Sequence, residues 1–453
     1  MDSPRINAAT LSATGARRVW LRVGTLIDGT SSKPLRNAHL VYDEKQIFFV
    51  GENSPPANLL ASNQRQPDLD LPDYTVLPGL IEAHAHFFLA GGELNTHRRA
   101  TWLKQSPEIQ LQAAHAKLEK LLWLGIAAVR DAGDKHGVGL ALSKFYSFRS
   151  SRGNEAPSKP ALIDQSLLTS AATISLMPYV DSPGAAIHHK GRYGGLMAEP
   201  MENFASLKQC VEARVKAGAD RIKLIATGII NFQVGNVTAE PQMTRAEVSE
   251  IASAAKSFGK QTFAHASGDA GIERAIEGGV DSIEHGYFVR PDQLAKMRDR
   301  QIAWVPTFAP VQAQIDHADR MGWDDKVVSN LTQILDQHAA SLVKAHEMGV
   351  QIIAGSDAGA YGVPHGLGFL HELELMERAG LPPLAVINSA TGTASNRLAF
   401  REKFGQLKPG YLSRFLLTPH SPLATVANLR KQMIVVFDGT VFDSGENIGP
   451  DGL

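Results

Sequence analysis

Histidine, lysine and aspartate side chains stand at the ends of several apolar segments of this chain. His84 and His86 end the run TVLPGLIEAHAH, and side chains at positions i and i+2 of a strand point to the same face. Two imidazoles placed in this way can bind one metal ion. The other residues suited to chemistry hold the same kind of position: Lys223 in RIKLIATG, His265 in TFAHASG, His285 in SIEHGYF and Asp357 in IIAGSDAG.

Six such residues at the ends of five different strands favour one shared metal site. Imidazole and carboxylate ligands in combination are typical of Zn or Mn sites. Lys223 differs from the others because an unpaired ammonium group is costly to bury at the end of an apolar strand. Lys223 therefore needs either a lowered pKa or a chemical partner.

The elements that must position these residues alternate regularly along the chain. From Tyr74 onward, apolar strand-like runs alternate with helical stretches, which indicates a parallel sheet with crossover helices. Eight strands in such a series predict a (β/α)8 TIM barrel, in which the C-terminal strand ends carry the catalytic groups. The predicted strands cover residues 76–84, 127–131, 161–166, 222–226, 261–264, 282–284, 303–307 and 352–354.

Both ends of the chain have a different texture from the middle. The run from Arg18 contains short β-rich segments broken by Gly, Pro and Asn, and similar segments return after the helical SATGTASNRL. These patterns are typical of antiparallel strands joined by turns. We expect both ends to form one small β-sandwich domain, from residues 1–75 and 400–453, around a barrel domain of residues 76–399.

Composition excludes several classes of function. The 453 residues include 45 Lys and Arg against 46 Asp and Glu, so there is no basic excess for binding nucleic acid. The N-terminus has no apolar signal segment and no stretch reaches the ~18 apolar residues of a membrane helix, so we expect a soluble, cytoplasmic protein. The single cysteine, Cys210, cannot form an internal disulfide, and its helical surroundings predict a core or interfacial position rather than a catalytic role.

These motifs together resemble the amidohydrolase superfamily, and within it the imidazolonepropionase-like and Xaa-Pro dipeptidase-like branch. The resemblance extends from VGTLIDG through TVLPGLIEAHAH, IKLIATG, FAHASG, IEHG and AGSDAG to SATGTASNRLA. It implies two divalent ions, Zn or Mn, and a homo-oligomeric assembly. One ion would be held by His84, His86 and Asp357 and the second by His265 and His285, with Lys223, carboxylated by CO2, as the bridge between them.

The implied chemistry fits these residue types. A carbamate turns the amine of Lys223 into an anion, which answers the objection to burying it. Two metal ions lower the pKa of a bridging water and so generate hydroxide at neutral pH. Asp357 would accept the proton of the attacking water and pass it to the leaving nitrogen.

The chain departs from its relatives near the substrate. Many relatives with dipeptidase activity carry G-G-H-G-D after the third strand, whereas this chain reads MPYVD at residues 177–181, where Tyr179 can donate a hydrogen bond to an oxyanion. Relatives also often carry a second Gly where this chain has Ile229. His365, in the VPHG loop after Asp357, is expected to contact the substrate or a ligand.

Loop residues could provide further substrate contacts. Guanidinium or imidazole groups that could bind a carboxylate, although each is by default a solvated surface residue, are Arg98, Arg99, His189 and Arg192. Aromatic residues that suggest a partly aromatic pocket are Phe87, Phe88, Trp102, Tyr193, Phe232 and Tyr287.

The sequence therefore predicts a metal-dependent hydrolase that cleaves a linear C–N bond in a small-molecule amide, urea or carbamate. An Xaa-Pro-type dipeptidase or carboxypeptidase is one alternative. A second is a mononuclear deaminase or cyclic-amide hydrolase on the same fold, although such relatives commonly lack the Lys and carry a Glu soon after the residue equivalent to His265. A non-enzymatic protein that keeps the barrel is a third alternative, which the complete ligand set disfavours.

Overall fold

The computed structural model describes residues 8–13, 17–152 and 176–443. Its strands are β1 Val19–Leu26, β2 Leu35–Tyr42, β3 Ile47–Gly51, β4 Leu69–Pro78, β5 Leu80–Ala85, β6 Ile126–Asp131, β7 Tyr179–Asp181, β8 Ala186–His188, β9 Ala198–Pro200, β10 Ile222–Ile225, β11 Thr262–Ala266, β12 Ser282–His285, β13 Ala303–Val305, β14 Arg414–Thr418, β15 Ile434–Phe437 and β16 Thr440–Asp443. Its helices are α1 Ala8–Leu11, α2 Thr96–Trp102, α3 Pro107–Trp123, α4 Val138–Arg152, α5 Leu207–Ala217, α6 Arg245–Ser257, α7 Asp269–Gly278, α8 Pro291–Asp299, α9 Ala309–Asp316, α10 Ala318–Met321, α11 Asp325–Met348, α12 Leu367–Arg378, α13 Pro383–Ser389 and α14 Gly392–Leu398.

The chain forms two compact units. The first contains residues 1–82, 120–128 and 373–453, and the second contains residues 83–119 and 129–372. The first unit therefore draws on both ends of the chain. The domain boundaries that we predict after residues 75 and 399 stay predictions.

The first unit contains a seven-stranded sheet with the order β16-β15-β14-β4-β1-β2-β3. Most neighbours are antiparallel, as the sequence predicts, but β1 and β4 run parallel, with a register shift between Val23 and Thr25. The residue at that shift is Gly24, where a Cβ atom would lie 1.7 Å from the carbonyl oxygen of Pro72. Only glycine fits at this approach of two backbones. The sheet unites strands from both chain ends, while the sandwich itself stays a prediction.

The second unit contains most of the parallel strands. A six-stranded sheet has the order β13-β12-β11-β10-β8-β9, and its neighbours are parallel. Every residue of β10 to β13 is buried, which is typical of parallel strands covered on both faces. A second sheet has the order β5-β6-β7.

The segment 351–358 connects β13 with β5. Ile353 donates from its backbone N–H to Trp304 at 2.9 Å, and Ala83 donates to the carbonyl of Ala354 at 3.0 Å. The predicted strand at 352–354 is nevertheless wrong as a regular element, because only isolated bridges form here, at Ile352 and Ala358. Gly355 explains the irregular path: a Cβ atom there would lie 3.0 Å from the Cβ of His84, so the two backbones approach closely.

The strand predicted at 76–84 is two strands, β4 and β5, separated at Gly79, where a Cβ atom would lie 2.7 Å from that of Ala127. The strand predicted at 161–166 lies outside the described residues. The described strand that follows β6 is β7, Tyr179–Asp181.

Capping residues mark where helices of the second unit begin and end. Thr244 and Glu247 form a reciprocal capping box at the start of α6, and Gly218 ends α5 in the left-handed conformation at φ 100°.

Cys210 lies on α5, fully buried, and burial raises the pKa of its thiol to about 11. The predicted core position of Cys210 is confirmed. Within the described part of the chain, no helix has the length and hydropathy needed to cross a membrane.

Candidate active site

His84 and His86 extend from the end of β5 into a buried cluster. The Nδ1 atom of His84 lies 2.6 Å from a carboxylate oxygen of Glu284, and Nδ1 of His86 lies 2.9 Å from the carbonyl oxygen of Gly133. The Nε2 atoms of both rings lie 3.5 Å from the same Oδ1 atom of Asp357. The two imidazoles therefore turn the same ring nitrogen toward one carboxylate.

Asp357 is held in place by its backbone. Its N–H donates to the carbonyl oxygen of His84 at 2.8 Å, and its φ of 56° is in the left-handed region, which is uncommon for non-glycine residues. The possible ligand atoms of His84, His86 and Asp357 all lie within 4.8 Å of one another. Ligands bound tetrahedrally at ~2.1 Å are separated by about 3.4 Å, so the two distances of 3.5 Å fit one bound ion.

His265 and His285 continue the cluster from β11 and β12. The ring of His285 lies 5.1 Å from the ring of His84 and 4.5 Å from the ring of His265, measured between centroids. Nδ1 of His285 is hydrogen-bonded to Oγ1 of Thr307 at 2.8 Å, and Nε2 of His265 is hydrogen-bonded to the carbonyl oxygen of Gly228 at 3.1 Å. The remaining nitrogens are Nε2 of His285 and Nδ1 of His265, the atoms that could bind a second ion.

Backbone strain marks this region. His285 and Thr307 have φ values of 65° and 53°. A β-branched residue such as threonine pays a steric penalty there, and such outliers persist only where surrounding contacts impose them. Tyr287 supplies one contact, because its hydroxyl donates to the Thr307 carbonyl at 2.7 Å. The strained backbone holds the Thr307 hydroxyl against His285.

Lys223 is buried on β10 beside the histidines. Its Nζ atom lies 4.6 Å from the ring centroid of Phe263, and its side chain is among the largest that are fully buried. The pKa of Lys223 is lowered to about 8, mainly by burial and also by the positive charge of Arg130, while the charges of Glu284 and Asp357 oppose the shift. A lysine whose pKa is lowered has more of the neutral amine that can react with CO2.

The site disfavours protonated histidine. Burial lowers the pKa of His86 to about 3 and that of His265 to about 4, with the charge of Lys223 as the next cause. Burial also moves the pKa values of His84 and His285 well below the ordinary value. Neutral imidazole is the form that binds metals, so the imidazoles are in the metal-binding form throughout the neutral range.

This electrostatic arrangement predicts an acid-sensitive metal-free protein. Burial lowers the pKa values of His84, His86, His265, His285 and His338, and also those of His39 and His188, whereas it raises those of Asp131 and Asp357 to about 7. Between pH 7 and 5 the unfolded chain binds protons on histidines near their ordinary pKa of 6.5, while the folded chain does not. Each of the first five histidines then lowers stability by ~2 kcal/mol and each aspartate raises it by ~2 kcal/mol.

The histidines outnumber the aspartates, so the urea midpoint of the chelated protein is expected to fall as the pH is lowered from 7 to 5. Urea unfolding followed by circular dichroism in the presence of a chelator measures it. A midpoint that stays constant or rises on acidification contradicts the prediction.

The structure also shows two buried charges beside the site that were not among the sequence candidates. Glu284 on β12 is fully buried between His84 and Arg130, and the Nη2 atom of Arg130 donates at 2.6 Å to the carboxylate oxygen that contacts His84. A signal did exist, because each residue is a charge inside an apolar strand, the feature that singled out Lys223. Their pairing across 154 positions is not visible in one sequence.

His365 and Tyr179 have different surroundings from the ligand cluster. His365 bonds through Nε2 to the carbonyl oxygen of His86 at 3.0 Å and stacks on Phe87 with centroids 5.3 Å apart. It therefore contacts the backbone that carries a candidate ligand. The buried ring of Tyr179 packs edge-on against Tyr146 at 5.0 Å. Its predicted contact with an oxyanion stays a prediction.

Several loop residues are engaged in local contacts. Arg99 donates to the carbonyl oxygens of Ala90 and Gly359, and Arg192 donates to that of Glu240 at 2.7 Å. Arg98 is exposed and lies 3.6 Å from Glu93. His189 lies between two carboxylates, at 2.7 Å from Glu202 and 3.2 Å from Glu247.

An aromatic ring does reach the site. Tyr193, from the loop after β8, lies 5.2 Å from the ring of His265 between centroids. The negative charge of Asp357 contributes, after burial, to raising the pKa of the Tyr193 hydroxyl. Tyr193 therefore lies beside the candidate ligand His265.

Comparison with known proteins agrees with this geometry. The chain matches the amidohydrolase family over residues 75–441. A protein of Aspergillus niger named ochratoxinase is 27% identical over 465 residues, which cover 100% of this chain and 92% of that protein. The crystal structure of A. niger ochratoxinase has a TM-score of 0.72 at 22% identity and covers 94% of this chain and 96% of that chain. A crystal structure of a Xaa-Pro dipeptidase with methionine in its active site has a TM-score of 0.71 at 25% identity, covering 94% and 100% of the two chains.

The chain belongs to the amidohydrolase family. Its match spans most of the residues, and its fold is α/β and similar to a TIM barrel. It is a hydrolytic enzyme, and His84, His86 and Asp357 form a possible site for the divalent metal that the family generally uses.

Proposed function

We propose that this enzyme hydrolyses a linear C–N bond in a small-molecule amide, urea or carbamate. The observation that carries the proposal is the convergence of His84 Nε2 and His86 Nε2 on one oxygen of Asp357, at 3.5 Å each. That spacing fits a metal-assisted hydrolase, because a bound divalent ion can activate water at neutral pH.

The proposed centre holds two divalent ions, Zn or Mn. His84, His86 and Asp357 would hold one ion, His265 and His285 the other, and Lys223, carboxylated by CO2, would bridge them. When bound, the ions supply Lewis acidity that activates water and polarises the substrate carbonyl. The burial of Lys223 supports this role, because carboxylation replaces a poorly solvated ammonium with an anion that the two cations stabilise.

Asp357 is the proposed proton carrier. It takes a proton from the attacking water as the new C–O bond forms at the carbonyl carbon. It then donates that proton to the nitrogen as the C–N bond breaks, because an unprotonated amide nitrogen is a poor leaving group. The hydrogen bond from the backbone N–H of Asp357 to the carbonyl oxygen of His84, at 2.8 Å, keeps the Asp357 carboxylate at the ligand cluster during both proton transfers.

Apolar side chains at two loops support a substrate with an apolar or aromatic group. Ile229 and Val234 follow β10 and are 55% and 60% exposed, and Leu196 follows β8 and is 51% exposed. The loop after β10 reaches the site, because the Gly228 carbonyl contacts His265. Tyr193 adds an aromatic ring beside the same histidine. We propose that these loops bind the part of the substrate next to the scissile bond.

A dipeptidase or carboxypeptidase is the second candidate function. The likeness to a Xaa-Pro dipeptidase at 25% identity favours it. Such a substrate has a free carboxylate that needs a cation, but Arg99 and Arg192 already donate to backbone carbonyls. This arrangement favours substrates without a carboxylate.

We propose that His365 holds the end of β5 in place through its hydrogen bond to the His86 carbonyl oxygen.

A matched substrate panel tests the proposal. Protein loaded with Zn or Mn in bicarbonate is incubated with N-acyl amino acids, the same compounds capped as primary amides, dipeptides, aryl ureas and aryl carbamates, and released amines are measured by LC-MS. We expect metal-dependent release of amines from aryl or capped substrates. Turnover confined to free carboxylates would favour the second candidate.

Metal content is measured on the same samples. Two ions per chain are expected, and one ion with release of ammonia from a ring amine would favour a mononuclear deaminase. Full activity in the presence of a strong chelator would contradict the proposal. The closed barrel, the β-sandwich, the homo-oligomer and the cytoplasmic location stay predictions from the sequence.

A further inference from the structure

Glu284 occupies an unusual position for a carboxylate. It is fully buried on β12, next in sequence to the candidate ligand His285, and contacts a different candidate ligand. Its Oε2 atom lies 2.6 Å from Nδ1 of His84 and accepts from Nη2 of Arg130 at 2.6 Å, while Oε1 accepts from the Ser282 hydroxyl at 2.7 Å. Both carboxylate oxygens are therefore used inside the protein.

Arg130 compensates the buried charge and connects the strands around it. Besides Glu284, it donates to the carbonyl oxygen of Ala83 at 2.6 Å and to the Ser282 hydroxyl at 3.0 Å. Its guanidinium also lies 4.3 Å from the ring centroid of Phe263. These contacts reach the strands of His84, His285 and His265. A buried ion pair is retained without a large penalty only where its hydrogen bonds are satisfied, as they are here.

The other three histidines have neutral partners. His86 and His265 contact the backbone carbonyls of Gly133 and Gly228, and His285 contacts the Thr307 hydroxyl. A carboxylate that accepts the ring N–H fixes the tautomer of a metal-binding histidine and makes it a stronger ligand than a neutral acceptor does. Only one of the two proposed metal positions has this support.

We infer that Glu284 is a positioning residue that makes the metal position of His84, His86 and Asp357 the tighter of the two, and that Arg130 holds its carboxylate for this task. The inference rests on the binuclear centre proposed above. Glu284 keeps the proton of His84 on Nδ1 and leaves Nε2, 3.5 Å from Asp357, for the ion. The second position, with neutral partners, loads after the first and is emptied before it.

Metal titration of Glu284→Gln tests the inference. Zn is titrated against a fluorescent chelator, which resolves two dissociation constants in the wild type. The tighter constant is expected to weaken by about 10- to 100-fold in the variant, with little change in the weaker one. Thr307→Val, which removes the hydroxyl that contacts His285, is expected to weaken the other constant instead.

Asp181→Asn is the matched control. Asp181 is also a buried carboxylate in an ion pair with a buried arginine, Arg221, at 2.8 Å. Its replacement disturbs the fold in a similar way but removes no contact of a candidate ligand. Both metal constants are expected to remain within about threefold of the wild type. A loss as large as that of Glu284→Gln would reduce Glu284 to a purely structural role and overturn the inference.

A measurement on the wild type covers the case in which Glu284→Gln does not fold. Nitrogen-15 NMR of the metal-free protein, with His84 assigned, is expected to find the proton on Nδ1, and a proton on Nε2 overturns the inference. The two proposals fail differently. Wild-type protein that binds no metal rejects the proposed function, whereas two bound ions with both constants unchanged in Glu284→Gln reject only the inference.

Discussion

Asp357→Asn is expected to lower kcat by a factor of about 10³ or more, because general acid and base catalysis alone contributes about 10²–10⁴ and the anion at the metal site is lost as well. Asparagine has nearly the same shape, so the backbone bond to His84 and the position of the side chain are expected to persist. The measurement is kcat at saturating substrate, with metal content determined on the same sample. KM is expected to change much less than kcat.

Asp131→Asn is the matched control for this prediction. Asp131 also has a pKa raised to about 7, but it is fully buried and accepts from Ser182, Gly133 and Phe87 rather than from the ligand cluster. We expect this variant to be less stable and to keep most of kcat. If both variants lose activity equally, Asp357 has no special role in proton transfer.

Local sequence patterns were sufficient to predict much of the fold and the positions of the candidate ligands along the chain. Apolar runs predicted β10 to β13 because parallel strands covered on both faces have no polar alternation. His84 and His86 were predicted to share a face, and their Nε2 atoms do converge on Asp357. The positions of these strands and the shared face of His84 and His86 could be predicted because each depends only on residues within one strand or directly after it.

Features that depend on contacts between distant segments were missed. The segment 351–358 has an apolar strand pattern but forms no regular strand. Its backbone bends at Gly355 and at Asp357, which has a left-handed conformation, and its hydrogen bonds go partly to β13 and partly to β5. The interaction of Glu284 with Arg130 and His84 joins three strands, and no local pattern specifies it. Tyr193 was one of the predicted aromatic pocket residues, but its contact with His265 depends on the path of a loop, which composition does not determine.

Lys223→Met is expected to have opposite effects on stability and activity. Methionine has a similar length and no charge, so the metal-free protein is expected to gain about 1–3 kcal/mol, since a pKa lowered by burial from 10.5 to about 8 measures the cost of the buried ammonium. Loss of the bridge is expected to lower kcat by about 10²–10⁴, because each bound ion contributes several kcal/mol. Urea unfolding in chelator at pH 7 and kcat in Zn and bicarbonate are the two measurements.

Lys117→Met distinguishes this effect from the removal of any buried lysine. Burial also lowers the pKa of Lys117 to about 8, but its Nζ donates to the carbonyl oxygens of Phe87 and Leu89 at 2.7 Å each. Removing it leaves two carbonyls without their donor, so the metal-free protein is expected to lose stability where Lys223→Met gains it. A stability loss in both variants would mean that Lys223 is satisfied in the metal-free fold. That result would remove the physical reason for its carboxylation, because Lys223 would then not need the bridging role to be buried beside the histidines.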